Sequence, residues 1–124
     1  MPVIELTVSI DAPIGRCFDL ARSIDLHMLS TEGTDEEAIA GVRSGLIGKG
    51  QQVTWKAKHF RIRQTLISKI TEFEYPVHFR DEMLKGAFRV LKHDHFFVES
   101  DGQTIMHDRL LLMEGIEHEW VSQA

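Results

Sequence analysis

Cys17 is the only cysteine in this 124-residue chain, so no disulfide can form within it and no CxxC redox or metal motif exists. Set among Ile14, Phe18 and Leu20, it reads as a small buried hydrophobe, and a lone thiol fits a reducing compartment such as the cytoplasm. The N-terminal Met-Pro-Val-Ile-Glu-Leu has no basic region, and no long apolar run follows it. Neither a secretory leader nor a membrane-inserted helix is therefore expected. Basic residues are in deficit too: 14 Lys and Arg stand against 19 Asp and Glu, for a net charge of -5 and a pI near 5.8. Nucleic-acid binding usually needs a concentrated basic surface to displace counterions. The one basic cluster, Lys56, Lys58, Arg61, Arg63 and Lys69, alternates with apolar residues as the solvated outer face of two adjacent strands would. No linker or repeat divides the chain, so residues 1–124 are read as one domain.

Val3 to Ile10 alternates apolar and polar in strand fashion and breaks at Asp11-Ala12-Pro13. Ile14, Cys17, Phe18 and Leu20 to Ala21 recur at helical spacing. Ser23 opens a second short helix, with Leu26 and Leu29 as its apolar stripe and Gly33 beyond its end. The acidic run from Glu32 to Glu37 reads as a solvated loop, and Ala38 to Val42 as a brief strand. Gly45, Gly48 and Gly50 punctuate the next loop. They do not spell a phosphate loop, because no Lys-Ser or Lys-Thr follows and a strand rather than a helix comes next.

From Gln51 onward the pattern is a meander: Val53 to His59, Ile62 to Ile70, Val77 to Met83, Phe88 to Glu99 and Gln103 to Met113. Asp101-Gly102 suits the two positive-φ positions of a type I′ turn. That turn sets Ser100 opposite Gln103, Phe97 opposite Met106, His95 opposite Asp108 and Asp94 opposite Arg109. One face then holds Leu91, His93, His95, Phe97, Met106, Asp108, Leu110 and Leu112, and the other leaves Lys92, Asp94, His107 and Arg109 to water. The earlier hairpin likewise gathers Trp55, His59, Gln64, Leu66, Ser68 and Ile70.

These inward rows alternate large apolar residues with His, Asp and Gln. Burying an unpaired polar group costs roughly 2–7 kcal/mol, so such a face points to a cavity rather than to plain packing. Trp55, Phe79, Met83, Phe97 and Met106 are the expected apolar wall. His59, Gln64, Asp81, His93, His95 and Asp108 are expected to orient polar atoms of a ligand. His93 and His95 share one side of a strand and, with His59, Asp81 and Asp108, contain the donor types of a transition-metal site. A cross-strand hydrogen bond from His95 to Asp108 satisfies both groups without metal, so no metal and no cofactor is the expectation. The same His/Asp pair has the orientation of a general acid/base, with an imidazole pKa free to move from about 6.5. Whether a reaction is catalysed stays open.

The order strand, two short helices, then meander resembles the helix-grip superfamily known as SRPBCC. So do Ser23-Ile24-Asp25-Leu26-His27, Gly41-Val42 with Ser44-Gly45-Leu46-Ile47, Val53-Thr54-Trp55 with His59-Phe60, Phe79-Arg80-Asp81-Glu82-Met83, Gly86-Ala87-Phe88 and His93-Asp94-His95-Phe96-Phe97. That superfamily includes START-type lipid carriers, the birch-pollen allergen type, polyketide aromatase/cyclases and coenzyme Q-binding proteins. Small bacterial members described as ligand-binding or cell-division-related are most similar. The resemblance, over roughly residues 3 to 110, implies an α+β fold in which a curved antiparallel sheet grips a long C-terminal helix over an apolar cavity. After Met113 only Glu114 to Ala124 remain, a stretch of about 16 Å if helical at about 1.5 Å per residue. A missing or vestigial C-terminal helix is expected, with Trp120 and Val121 plugging part of the opening and a homodimer covering the rest of the sheet. The function implied is binding, transport or sensing of a small hydrophobic molecule, lipid, quinone or polyketide-like. A cyclase or isomerase using the same cavity and a protein-interaction module without ligand are the alternatives.

Overall fold

Seven antiparallel strands lie in the order β1-β7-β6-β5-β4-β3-β2 in a computed structural model that describes residues 3–30, 36–59, 62–86 and 88–114. The elements are β1 (Val3–Ile10), α1 (Ile14–Ala21), α2 (Ile24–Ser30), β2 (Glu37–Gly41), β3 (Gln52–His59), β4 (Ile62–Glu74), β5 (His78–Lys85), β6 (Phe88–Ser100) and β7 (Gln103–Glu114). Each strand from β2 to β7 pairs with its sequence neighbour, and β1 adds to the far side of β7. Register shifts at Ala38/Ala40, Ile67/Ser68, Ile70/Glu72 and Phe88/Val90 bend the sheet. The result is a curved helix-grip sheet with two short helices against its concave face.

The β6/β7 hairpin has the register its turn residues imply. Asp101 and Gly102 both take positive φ, 48° and 78°, and Ser100 pairs with Gln103, Phe97 with Met106, His95 with Asp108 and Asp94 with Arg109. At the second edge Gly41 is required twice over, because its φ is +73° and a Cβ there would collide with the Gln52 carbonyl.

Phe18 of α1 is the centre of the core, with no exposed surface. Its ring meets Phe73, Tyr75 and Phe79 edge-on at centroid distances of 5.3, 5.0 and 5.2 Å, and Phe97 at 5.3 Å. Such aromatic pairs add roughly 0.5–1.5 kcal/mol each beyond the area they bury. Cys17 is buried beside it. The Ser23 hydroxyl accepts the Leu26 N–H at 3.1 Å and caps α2. The apolar stripe of α2 differs from the expected one: Ile24 is buried and Met28 packs on the core, whereas Leu26 and Leu29 are exposed. Ile24 and Met28 stand four residues apart on one helix face, and Leu26 is turned about 200° from Ile24.

The glycine loop clasps the junction of the two helices. Gly45 accepts the Ile24 N–H and donates to Asp25 Oδ2, each at 2.9 Å, while the Ile47 N–H reaches the Arg22 carbonyl at 3.1 Å. The Gly48 amide donates to Gln51 Oε1 at 2.7 Å. With those amides engaged inside the protein, the loop has no phosphate cradle to offer.

Asp94 corrects a further expectation, for it is not left to water on the outer face but buried. His78 Nε2 and Arg80 Nε donate to its Oδ1 at 2.7 and 2.9 Å, and Arg80 also pairs with Glu72 at 2.7 Å. Phe96 stacks on His78 at 4.6 Å, so this polar knot has an aromatic cover. No helix among the described residues is long and apolar enough to cross a membrane. Among the described residues no helix follows α2; Gly33, Arg61, Trp120 and Val121, with the tail from residue 115, lie outside them.

Candidate functional site

A cavity of about 460 Å³ lies between the helices and the concave face, lined by Ala21, Ile24 and His27 on one side and by the inner rows of β3 to β7 on the other. The walls are apolar where Trp55, Leu66, Ile70, Phe79 and Leu91 face it, and polar where Asp81, His93 and His95 converge. Strand alternation and register bring the polar group together. Asp81 is directly opposite His93 across β5/β6, and His95 directly opposite Asp108 across β6/β7.

His95 is held from both ends. Its Nδ1 is 3.0 Å from Asp108 Oδ1 and its Nε2 3.3 Å from Asp81 Oδ2, while its face stacks on Phe79 at 4.3 Å. Burial works against the imidazolium, but hydrogen bonds to Asp108 and Asp81 outweigh it and raise the His95 pKa to about 9. His93, with its ring centroid 4.0 Å from that of His95, moves the other way: burial and the neighbouring imidazolium hold its pKa below the ordinary value. Burial pushes the Asp108 carboxyl up, yet the His95 hydrogen bond prevails and keeps it below the usual carboxylate range. Near neutrality the site therefore holds an imidazolium between two carboxylates, with a neutral imidazole beside it. A general base must be unprotonated, so in this geometry His93 rather than His95 has the protonation state for that work.

Of the residues the sequence pointed to, Trp55, Phe79, Asp81, His93 and His95 line the cavity, and Asp108 stands behind His95. Phe97 and Met106 belong to the core instead, Phe97 because α1 plants Phe18 on it. Gln64 shares the face of Trp55 but is exposed two residues beyond Leu66, past the reach of the helices. Met83 is outside the lining and lies over Gly86, where a Cβ would stand 2.7 Å from its sulfur. His59 ends β3, and its side chain is outside the described part of the chain. Two titratable lining residues lie outside the sequence-predicted set: His27, whose ring centroid is 4.4 Å from that of Trp55, and Glu36, 3.0 Å from His27 Nε2. The signal for His27 was its place three residues after Ile24 on one face of α2; Glu36 had none in an acidic run. No Lys or Arg is among the described lining residues.

No protein-family model matches this chain, and no curated protein matches it. Solved structures do. TTHA0849 from Thermus thermophilus superposes with a TM-score of 0.72 at 16% identity, covering 98% of this chain and 85% of that one. A START superfamily protein from Mycobacterium smegmatis reaches 0.70 at 10% identity over 92% of this chain and 78% of its own. Ginseng major latex-like protein 151 from Panax ginseng reaches 0.67 at 10% identity over 94% and 82%. The chain therefore has the helix-grip fold that START-type and Bet v 1-like proteins share.

Proposed function

We propose that this protein binds a small hydrophobic molecule in the cavity between sheet and helices, as a carrier or sensor in the cytoplasm. The observation that carries the reading is the cavity itself, about 460 Å³, within the range of roughly 300–1,000 Å³ of small-molecule sites, with few polar groups gathered at one end of apolar walls. Trp55, Leu66, Phe79 and Leu91 take the apolar body of the ligand, and Asp81, His93 and His95 orient its polar atoms. A lipid, quinone or polyketide-like compound has that division. The test is intrinsic fluorescence in a Trp120→Phe background, which leaves Trp55 as the only tryptophan. Fatty alcohols, quinones and polycyclic aromatics should quench Trp55 at low micromolar concentration and raise the melting temperature. A panel that changes neither removes the reading and favours a protein-interaction module.

We further infer a homodimer. Ile4, Leu6 and Val8 of β1 pair with Leu110, Asp108 and Met106 and so share their concave face, yet they are exposed, Leu6 to 59%. A row of this kind gains roughly 1.5–3 kcal/mol for each such side chain fully covered. Light scattering across a concentration series tests it; a monomer at high micromolar concentration that binds no hydrophobic dye rules it out.

A further inference from the structure

We propose that Asp81, His93 and His95 form a binding site for a divalent transition-metal ion at the polar end of the cavity. One donor atom from each of the three lies within 4.8 Å of the others. Small side-chain rotations bring such a set to the roughly 3–3.5 Å that separates neighbouring ligands around an ion bonded at about 2.1 Å. His95 Nε2 and Asp81 Oδ2 already stand 3.3 Å apart, and an ion binding between them displaces the Nε2 proton of His95 to solvent, since a ligating imidazole is neutral. Backbone pairing fixes the rest: His93 and His95 leave the same side of β6, and Asp81 is directly opposite His93 on β5.

What sets this cluster apart from a chance group of polar residues is the second carboxylate. Asp108 Oδ1 is 3.0 Å from the other ring nitrogen of His95, and a carboxylate in that place fixes the tautomer of a ligating imidazole and aims its free nitrogen. Phe79, stacked on the ring at 4.3 Å, limits its swing. Two nitrogens and one oxygen suit Zn²⁺, Fe²⁺, Co²⁺ or Ni²⁺, whereas Mg²⁺ and Ca²⁺ take oxygen ligands. Three protein ligands leave the remaining positions facing the cavity, where water or an exogenous ligand binds. The site stands on these contacts whether or not the cavity takes an apolar molecule.

The test uses the full chain, stripped with a chelator and titrated with Zn²⁺ by calorimetry and with Co²⁺ by visible absorption. One ion per chain and a Co²⁺ d–d band are expected. His93→Ala and the near-isosteric Asp81→Asn should each weaken Zn²⁺ binding at least about 100-fold, and Asp108→Asn about 10–100-fold with the Co²⁺ band retained. His107→Ala, on the opposite sheet face, should bind as the parent does, and circular dichroism identifies any variant that has lost its fold. Absence of stoichiometric binding overturns the proposal. So does binding that survives both His93→Ala and Asp81→Asn in folded protein.

Discussion

Neighbouring residues on one strand, Asp94 and His95, anchor two polar clusters on opposite faces of the sheet, and the clusters are built differently. On the convex face Asp94 meets Arg80 and His78, Arg80 meets Glu72, and Phe96 covers the group. On the concave face His95 meets Asp108 and Asp81, with His93 alongside and, among the described residues, no arginine. The convex knot includes a permanent cation, and burial, which favours the neutral acid, is overcome at Asp94 by the Arg80 and His78 hydrogen bonds. The concave cluster depends on a single titratable cation shared by two carboxylates. A cluster that only joins strands can use arginine, which stays charged at any working pH. A cluster that faces a cavity and relies on imidazoles responds to pH, to ions and to ligands.

The largest difference should appear on removing Asp94. Asp94→Ala leaves Arg80 and His78 without their common acceptor and should cost about 3 kcal/mol in chemical denaturation, since stranding one partner of a buried pair is costly, while probe binding in the cavity is unchanged. If binding fell with stability, the two faces would not be independent.

The pH dependence sharpens the contrast. His95 has its folded pKa raised from 6.5 to about 9, so its stabilisation is complete below about 6.5 and is lost as pH climbs through 9, at most about 3 kcal/mol in metal-free protein. Asp94 and Asp108 have depressed folded values; their contribution is present above the ordinary carboxylate range and is lost as pH falls. Acid should therefore weaken both faces and mild alkali only the concave one. Urea midpoints measured from about pH 3 to about 10 in the parent and in His95→Gln check this, and an alkaline limb that persists in the variant would assign it elsewhere.

His95→Ala should destabilise by about 1–3 kcal/mol by leaving Asp108 unpaired, and unlike Asp94→Ala it should also alter cavity binding. Retained stability with lost turnover of some substrate would move the protein among enzymes. The smallest effect belongs to Glu72→Ala. That side chain is 52% exposed, and an exposed ion pair is worth about 0.5 kcal/mol or less, so a melting shift as large as that of Asp94→Ala would mean that the knot acts as one unit.

Period-two alternation and one turn dipeptide were enough to read the meander from sequence. Asp101-Gly102 set the β6/β7 register, and with it the pairing of His95 with Asp108, because the side-chain period in a strand is two and a hairpin turn leaves no freedom to slip. Alternation could name a face but not what covers it. Phe97 and His95 share a face, yet Phe97 became core because Phe18 lands on it, and His95 became cavity wall because the cavity, not a side chain of α1, lies over it. Gln64 shares that face as well and remained exposed. Asp94 looked like a surface residue for the same reason, since nothing local announces that Arg80 and His78 from β5 will converge on it. Strand identity, register and facing were thus written in local chemistry. Burial, cavity and charge state came only with the docking of the helices and the adjacency of β5, β6 and β7, because those depend on contacts between residues far apart in sequence.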